Sequence, residues 1–171
     1  MARLFFALWP DDQTRSQLAA AVDSLPTLPG RLVPARNLHI TLVFLGAVDA
    51  EQQQALRLGA DTIRGQSFAR AISELGRWPH ASVAWLAPAT VPAAVLDLVA
   101  QLQLLCRHAG LEPDPRPYHP HLTIARKIRR VPPAHFAPIH WQISRFSLVE
   151  SVSDRAGSEY RPLAHWPLIP A

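Results

Sequence analysis

The stretch Leu38-His39-Ile40-Thr41-Leu42 is matched in the second half of the chain by Pro120-His121-Leu122-Thr123-Ile124. In an extended strand, residues two apart point to the same face, roughly 6–7 Å from each other. Each copy therefore predicts a strand with a histidine and a threonine side by side on one face and aliphatic residues on the buried face. Two such strands facing one another across a cleft would bring both histidines to one substrate.

The sequence around the two motifs predicts further strands and helices. Short apolar or alternating runs indicate strands, whereas apolar residues three and four apart indicate helices. The expected strands are 3–9, 38–45, 68–75, 82–86, 121–125, 139–149 and 160–163, and the expected helices are 11–22, 49–64 and 91–109. Gly46 is expected to end the first motif strand and Gly110 the third helix. This order predicts a single α+β domain over residues 1–171 with two related halves.

The composition is typical of a globular protein, with 49% hydrophobic and 18% charged residues. No apolar run approaches the ~20 residues that a membrane-spanning helix needs. The apolar N-terminal run resembles the core of a signal peptide. It is followed by Pro10, Asp11 and Asp12 without a small-residue cleavage site, and this favours a first buried strand. We therefore expect a cytoplasmic protein that has no membrane partner.

The cysteine and arginine content narrows the possible sites. Cys106 is the single cysteine, which excludes an intramolecular disulfide and a multi-cysteine metal site, and its helical pattern favours core packing. The net charge is +4, and 16 of the 17 basic residues are arginine. Arginine binds phosphate through two parallel hydrogen bonds, so this arginine-rich, positively charged composition is compatible with an RNA or nucleotide substrate. Coding bias towards Ala, Arg and Pro is the alternative explanation.

Paired histidines with hydroxyl neighbours are suited to acid–base chemistry at a phosphate. Histidine titrates near pH 6.5, so one copy can be neutral while the other is protonated. The neutral ring takes a proton from the attacking water or hydroxyl, and the protonated ring gives one to the departing oxygen. The hydroxyls of Thr41 and Thr123 can donate hydrogen bonds to the non-bridging oxygens. A strained cyclic phosphodiester is a fitting target, because its opening needs neither a metal nor a covalent nucleophile.

Other interpretations of these histidines remain open. His119 and His121 are two apart, as in a two-histidine metal pair, but no Asp, Glu or Cys lies near them at ligand spacing. A metal would also leave Thr41 and Thr123 unexplained, so we expect no metal and no cofactor. Both motifs could also be coincidental strands. The other histidines lack a matching partner and are assigned no role: His80, His108, His135, His140 and His165.

The paired motifs resemble those of the two-histidine phosphoesterases. Within that superfamily the chain is similar to the RNA 2′,3′-cyclic phosphodiesterases, also called 2′-5′ RNA ligases. The similarity is carried by residues 3–8, 37–46 and 118–126, and by Ser153 followed by residues 157–160. It implies a bilobal α+β fold, in which two pseudo-symmetric antiparallel sheets are flanked by helices and enclose a central cleft.

The resemblance also implies roles for individual residues. His121 would be the proton acceptor that activates water, and His39 the proton donor to the leaving 3′-oxygen. Thr41, Thr123 and Arg126 would bind the substrate phosphate. The implied reaction is metal-independent hydrolysis of a 2′,3′-cyclic phosphate end of RNA to a 2′-phosphomonoester by a monomer.

Two positions next to the motifs are ambiguous. Arg126 is five residues after His121, so in an ideal strand it points away from the site, and it reaches the site only if the strand ends or bulges there. Lys127 has the right parity to compete for the phosphate. Phe44 holds the equivalent place after the first motif, where core packing is favoured over stacking on a base. His119 differs from the aromatic or small residue expected before Pro120.

Other functions are compatible with the same chemistry. Relatives in the superfamily act on 2′-5′ linked oligonucleotides or on the cyclic phosphate of an ADP-ribose derivative. The reverse reaction, which joins a cyclic end to a 5′-hydroxyl, is accessible by microscopic reversibility. A non-catalytic module that binds RNA ends is a further alternative, although both histidines are intact.

Overall fold

The computed structural model describes residues 1–154 and 157–170 of the chain. Its strands are β1 (Ala2–Leu8), β2 (Arg31–Leu32), β3 (Ile40–Val48), β4 (Phe68–Trp78), β5 (Val83–Pro88), β6 (Leu122–Arg126), β7 (Ile139–Ile143), β8 (Arg145–Asp154) and β9 (Gly157–Pro167). The helices are α1 (Asp12–Ser24), α2 (Ala50–Ala60) and α3 (Ala93–His108). None of these helices, within the described ranges, has the length and apolar character needed to cross a membrane.

The described strands form one sheet whose centre is the pair of motif strands. The order is β7-β4-β5-β6-β3-β1-β8-β9, with β2 paired to β6, and all of these pairings are antiparallel. We call β3, β1, β8 and β9 the first half-sheet, and β6, β5, β4 and β7 the second. The α+β prediction is confirmed, and the two predicted antiparallel sheets are the two halves of this one sheet, joined at the registered pair of Ile40 and Leu122.

The sheet buries its main core on one face and carries a smaller cluster on the other. The main core joins sheet and helix residues such as Phe6, Leu86, Leu98 and Leu122, all fully buried. Phe5, Ala7 and Val149 form the smaller cluster on the opposite face. Because side chains alternate along a strand, Phe5 and Phe6 serve opposite faces of β1. The face with the smaller cluster is left for the motif side chains.

Polar caps and glycines set the helix ends. The Asp11 side chain accepts a hydrogen bond from Thr14 N and begins α1, and Asp49 forms a capping box with Gln52 at the start of α2. Gly110 has φ +74° directly after α3, where its missing Cβ permits the turn. These ends agree with the sequence predictions. Helix α2 ends four residues earlier than predicted, since Thr62 N and Ile63 N bond to Gly59 O and Ala60 O in tighter turns.

Several strand boundaries differ from the predictions: β4 continues to Trp78 instead of ending at 75, and the short strand β2 was not predicted. Gly46 does not end β3, which continues to Val48, because Gly46 takes φ +72° at an irregular point in the pairing with β1. The predicted strand 139–149 is interrupted at Ser144 and contributes to both β7 and β8. The last strand extends well beyond 160–163, because pairing with β8 recruits residues that have no apolar alternation.

Candidate active site

The carbonyl of Asn37 orients the ring of His39. His39 Nδ1 donates to Asn37 O at 2.6 Å, and Nε2 lies 3.0 Å from Thr41 Oγ1. Because the carbonyl can only accept, Nδ1 carries a proton and Nε2 is the nitrogen that can gain or lose one. In the neutral ring, Nε2 therefore accepts from the Thr41 hydroxyl.

His121 is held in the same way in the second half-sheet. Its Nδ1 donates to His119 O at 2.8 Å, two residues back along the chain, as in the first motif. This bond again leaves Nε2 as the nitrogen that exchanges a proton. The two motifs thus give their histidines the same tautomer. His39 belongs to the first half-sheet and His121 to the second.

Strand pairing brings the two histidines and two threonines onto one face. Ile40 is registered with Leu122 in the antiparallel pair of β3 and β6. One residue further in each direction, His39 lies opposite Thr123 and Thr41 opposite His121, and directly opposed side chains point to the same face. The charge of His121 is among the causes that lower the pKa of His39, as expected for neighbouring rings.

Aromatic rings surround His39. Phe5, Trp9 and Tyr160 have ring centroids 4.9, 5.7 and 5.1 Å from that of His39. Burial among these rings lowers the pKa of His39 to about 4, and the nearby charges of Arg126, Arg15 and His121 add to the effect. His39 is therefore neutral at pH 7 in the free protein.

The Asn37 side chain ties the last strand to the first motif. Asn37 is buried, its Nδ2 donates to Ser158 O at 2.7 Å, and its Oδ1 accepts from Tyr160 N at 3.3 Å. The backbone of the same residue accepts from His39. Asn37 is thus a positioning residue that fixes both the His39 ring and the Tyr160 ring beside it.

Each motif strand bulges directly after its threonine. In β3 the partners of Phe6 and Ala7 are Val43 and Thr41, so one extra residue lies between the two pairs. In β6 the partners of Ala84 and Trp85 are Ala125 and Thr123, which leaves Ile124 as the extra residue. A bulge of one residue reverses the alternation that follows it.

The two bulges turn Phe44 and Arg126 towards the site face. Phe44 pairs with Phe5, on the same face as Ala7 and Thr41, and its side chain is 52% exposed. The expectation that Phe44 packs in the core is therefore wrong, because the bulge moves it to the other face. Arg126 pairs with Val83, on the face of Thr123, and its charge lowers the pKa of both histidines. Lys127 is exposed and adopts φ +58° where the strand ends.

The remaining candidates lie away from this arrangement or form no ligand set. Cys106 is fully buried in the core, as predicted, and burial raises the pKa of its thiol to about 12. His119 is exposed, and its backbone serves His121. His165 bonds through Nδ1 to the buried Ser147 hydroxyl at 2.7 Å. Among the described residues, no three His, Cys, Asp or Glu side chains are grouped so that they could hold a metal ion.

Comparison with known proteins identifies the family. The model of the 2′-5′ RNA ligase superfamily matches residues 10–155. The chain belongs to this superfamily. It is 34% identical to the RNA 2′,3′-cyclic phosphodiesterase of Escherichia coli strain K12 over 97% of this chain and 96% of that one. It is 31% identical to the enzyme of that name from Thermus thermophilus, over 97% and 90% of the two chains.

The solved structures agree with the family assignment. The crystal structure of E. coli LigT complexed with 3′-AMP matches this fold with a TM-score of 0.85, 32% identity and coverage of 98% of both chains. The MHV ns2 PDE domain, at 14% identity and a TM-score of 0.56, shares the fold alone. The resemblance inferred from the paired motifs is therefore confirmed.

Several neighbours of the histidines in this superfamily member were assigned no role from the sequence, although Asn37 and Tyr160 lie in stretches that carry the family resemblance. Trp9, Tyr160 and Trp78 border the histidine rings, but their distance along the chain from the motifs hides this. Asn37 carries a weak local signal, since a polar residue directly precedes the buried Leu38. Their contribution depends on strand pairing, which joins residues more than a hundred positions apart.

Proposed function

We propose that this protein hydrolyses the 2′,3′-cyclic phosphate at RNA ends and leaves a 2′-phosphomonoester. The observation that carries the proposal is the placement of two histidines, each with its Nδ1 bonded to a carbonyl, on one face of adjoining strands. The relatives with which the chain aligns over nearly its full length are named RNA 2′,3′-cyclic phosphodiesterases. E. coli LigT has been crystallised with 3′-AMP and with phosphate.

In the proposed reaction, the two histidines act on opposite sides of the phosphorus. His121 Nε2 takes a proton from water as the water oxygen bonds to phosphorus. The bond from phosphorus to the 3′-oxygen breaks, and His39 Nε2 gives its proton to that oxygen. Thr41 and Thr123 donate hydrogen bonds to the non-bridging oxygens, where negative charge develops. The phosphate stays on the 2′-oxygen because the 3′-oxygen is the one protonated.

The low pKa of His39 makes its protonation dependent on substrate. In the free protein, burial keeps this ring neutral above about pH 4. A phosphodiester anion bound beside the ring favours the protonated form, because an opposite charge at short range raises the pKa of histidine. Binding of substrate therefore takes up the proton that His39 later donates. Arg126 would hold the same anion by a charge-assisted hydrogen bond.

Phe44 supports a contact with the base of the terminal nucleotide. Its exposed ring lies parallel to that of Phe5, at 6.4 Å between centroids and an interplanar angle of 6°. An exposed aromatic face next to a phosphate site is a common surface for base stacking. We assign this role to Phe44, with Thr41 between it and His39 on the same strand.

The site is complete within one chain, which supports action as a monomer. The histidines, the threonines and Arg126 all come from β3, β6 and the residues directly before them. We propose that the protein acts in the cytoplasm. RNA ends are available there, and the free, buried Cys106 is compatible with a reducing compartment. Gel filtration with light scattering tests the monomer, and cell fractionation tests the compartment.

The experiment that tests this function uses a short RNA ending in a 2′,3′-cyclic phosphate, with EDTA present. Wild type and His121→Ala are compared, and the position of the product phosphate is determined. We expect a 2′-phosphate from the wild type and almost no product from the variant. A 3′-phosphate would reverse the roles of His39 and His121. Absence of turnover by the wild type, or turnover abolished by EDTA, would contradict the proposal.

A further inference from the structure

A cavity of about 240 Å³ lies at the end of β1, beside the first motif. Its lining includes the Trp9 ring, which stacks on the His39 ring at 5.7 Å between centroids. Arg145 and Gln142 also line it, and both of these side chains are exposed. The proposed reaction at the cyclic phosphate uses neither of them.

Strand register places Arg145 on the same face of the sheet as the motif histidines. Ala7 on β1 is registered with Ser147 on β8. Two residues further along, the same face carries Trp9 at the end of β1 and Arg145 at the start of β8. The stacking of Trp9 on His39 continues this row to β3. The strand of Arg145 is thus two strand spacings, about 10 Å, from the chain that carries His39.

The Arg145 guanidinium is available to an anion from outside the protein. It forms no ion pair and no side-chain hydrogen bond with the described residues. The Asp11 carboxylate lines the same cavity, but its Oδ1 accepts from Thr14 N at 2.7 Å and begins α1. The pKa of His165 is lowered by burial and then by the Arg145 charge, so this ring is mainly neutral at pH 7. Arg145 is therefore the cation that the cavity offers.

The chemistry of ribose indicates which part of an RNA strand meets this cavity. The inference rests on the proposed function, in which His39 protonates the 3′-oxygen. The 2′-carbon of ribose is bonded to the 1′-carbon, which carries the base. The 3′-carbon is bonded to the 4′-carbon, which carries the chain to the preceding nucleotide. The base therefore leaves the cyclic phosphate on its 2′ side, and the preceding phosphodiester lies on its 3′ side, where His39 is.

The face of the β1–β3 pair has the same two directions. Phe44 lies at one end of the pair, and His39 with Trp9 lies at the other. With a base on Phe44, the strand runs past Trp9 into the cavity. We propose that Arg145 and Gln142 form an upstream-phosphate subsite, which binds the phosphodiester on the 5′ side of the terminal nucleotide. Guanidinium and amide N–H groups both donate to phosphate oxygens, and such contacts do not depend on the base sequence.

The test uses three substrates that end in the same 2′,3′-cyclic phosphate. They are a nucleoside cyclic phosphate, a dinucleotide, and the same dinucleotide with an uncharged methylphosphonate as its internal linkage. The measured quantity is the charge preference, the ratio of kcat/KM for the charged to the neutral dinucleotide. We expect a preference of about tenfold in the wild type, since a hydrogen bond to a charged group contributes at least that factor. The difference should lie in KM, because the upstream phosphate does not react.

Variants assign the preference to its residues. Arg145→Ala should bring the ratio close to one, and Arg145→Lys, which keeps the charge, should retain part of it. Gln142→Ala should lower the ratio less, because its amide is neutral. Arg107→Ala removes an exposed charge from the last turn of α3 and should keep the wild-type ratio. The neutral linkage tests the subsite in the wild-type protein, so the result does not depend on the folding of any variant.

Three outcomes would count against the upstream-phosphate subsite or its basis. Equal kcat/KM for the charged and neutral dinucleotides in the wild type would overturn the subsite and leave the proposed function standing. A charge preference that survives in Arg145→Ala, or an equal loss on all three substrates in that variant, would also overturn it. Wild-type protein that opens none of the three cyclic phosphates would overturn the proposed function itself.

Discussion

The two motif histidines, His39 and His121, have the same backbone contact and different surroundings. His39 is enclosed by Phe5, Trp9 and Tyr160, and its Nε2 already has Thr41 as a partner. His121 meets Trp78 edge to face, and the charge of Arg126 at the end of β6 lowers its pKa. The pKa of both rings is lowered by burial, but that of His39 reaches about 4.

This difference fits the two tasks that we propose for the two copies of the motif. The Nδ1 contact comes from the motif strand and is the same in both copies, so it fixes the tautomer twice. The surroundings come from other strands and set how readily each ring is charged. An enclosed ring that gains its proton only with a bound anion suits the acid. A ring near an open, cationic surface suits the base that meets an entering nucleophile.

The largest expected effect comes from removal of either histidine. His39→Ala and His121→Ala should each lower kcat by about 10³-fold, since general acid–base catalysis contributes on the order of 10²–10⁴. If both rings act in one step, as we propose, the double variant should be little slower than either single variant. Single-turnover hydrolysis of a cyclic-phosphate RNA measures all three. His108→Ala, at the exposed end of α3, is the matched control. Losses that multiply in the double variant would argue against a shared step.

Acid should destabilise the free protein mainly through His39. Its folded-state pKa is about 4 and its unfolded value about 6.5, so the unfolded chain binds more protons between these limits. The free energy of unfolding is therefore complete above about pH 6.5 and falls by about 3 kcal/mol as the pH drops to 4. Urea unfolding from pH 4 to 7.5 measures this slope. Inorganic phosphate favours the protonated ring of His39, so its addition should reduce the dependence of the unfolding free energy on pH.

Titration of the histidine resonances by NMR gives the direct comparison of the two rings. We expect His39 to titrate at a lower pH than His121, because burial lowers the pKa of both rings and that of His39 to about 4. Equal midpoints for His39 and His121 would remove the difference on which the assignment of acid and base rests.

Asn37→Ala should change the surroundings of His39 in the first half-sheet and leave those of His121 unchanged. The change removes the hydrogen bonds to Ser158 O and from Tyr160 N, each worth about 1 kcal/mol net, and loosens the Tyr160 edge of the His39 enclosure. We expect kcat to fall about 30-fold, because misplacement of a reacting group by 1 Å can cost about 100-fold. The pKa of His39 should rise towards 6.5 while that of His121 stays. Asn37→Asp keeps the acceptor for Tyr160 N but turns a carboxylate oxygen towards Ser158 O, so it should be no less damaging than Asn37→Ala. Equal shifts of both histidines would contradict a local role.

Arg126→Ala should weaken substrate binding more than it changes the pH limits. A charge-assisted hydrogen bond contributes about 1.5–3 kcal/mol, so the KM for the cyclic phosphate should rise about tenfold or more. The pKa of both histidines should rise slightly, because the Arg126 charge lowers both. Lys127→Ala is the matched change at the next residue and should alter KM less than twofold. Steady-state kinetics from pH 5 to 9 measure KM and the pH limits of both variants. A larger rise in KM for Lys127→Ala than for Arg126→Ala would assign phosphate binding to Lys127.

The smallest effect is expected at Phe44. Phe44→Leu keeps an apolar side chain and removes the flat ring, so the KM should rise about fivefold if a base stacks there. Kinetics with nucleoside 2′,3′-cyclic phosphates measure the change, and purines should lose more than pyrimidines. A KM that does not change with either base would show that the exposed ring serves another purpose.

Much of the site could be predicted because its signals are local. His39 with Thr41 and His121 with Thr123 lie two residues apart, and the period of a strand places each pair on one face whatever the rest of the fold does. The helix caps at Asp11 and Asp49 are local for the same reason, since they bond three residues ahead. The paired motifs were also specific enough to indicate the family.

The positions of Arg126 and Phe44 could not be predicted, because each depends on a bulge. Strand alternation places both residues away from the site, and a single extra residue after each threonine reverses the alternation. The extra residue is visible only in the pairing with β1 or β5. No local propensity marks it, since the bulged stretches remain aliphatic.

The sequence by itself determined that each histidine shares a strand face with a threonine, because this depends only on neighbours two residues apart. Only the tertiary structure decided which strands lie beside β3 and β6. Through that choice it enclosed His39 among Phe5, Trp9 and Tyr160 and left His121 beside the single indole of Trp78. The physical reason is that burial and charge act through space, while the histidine–threonine spacing acts along the chain.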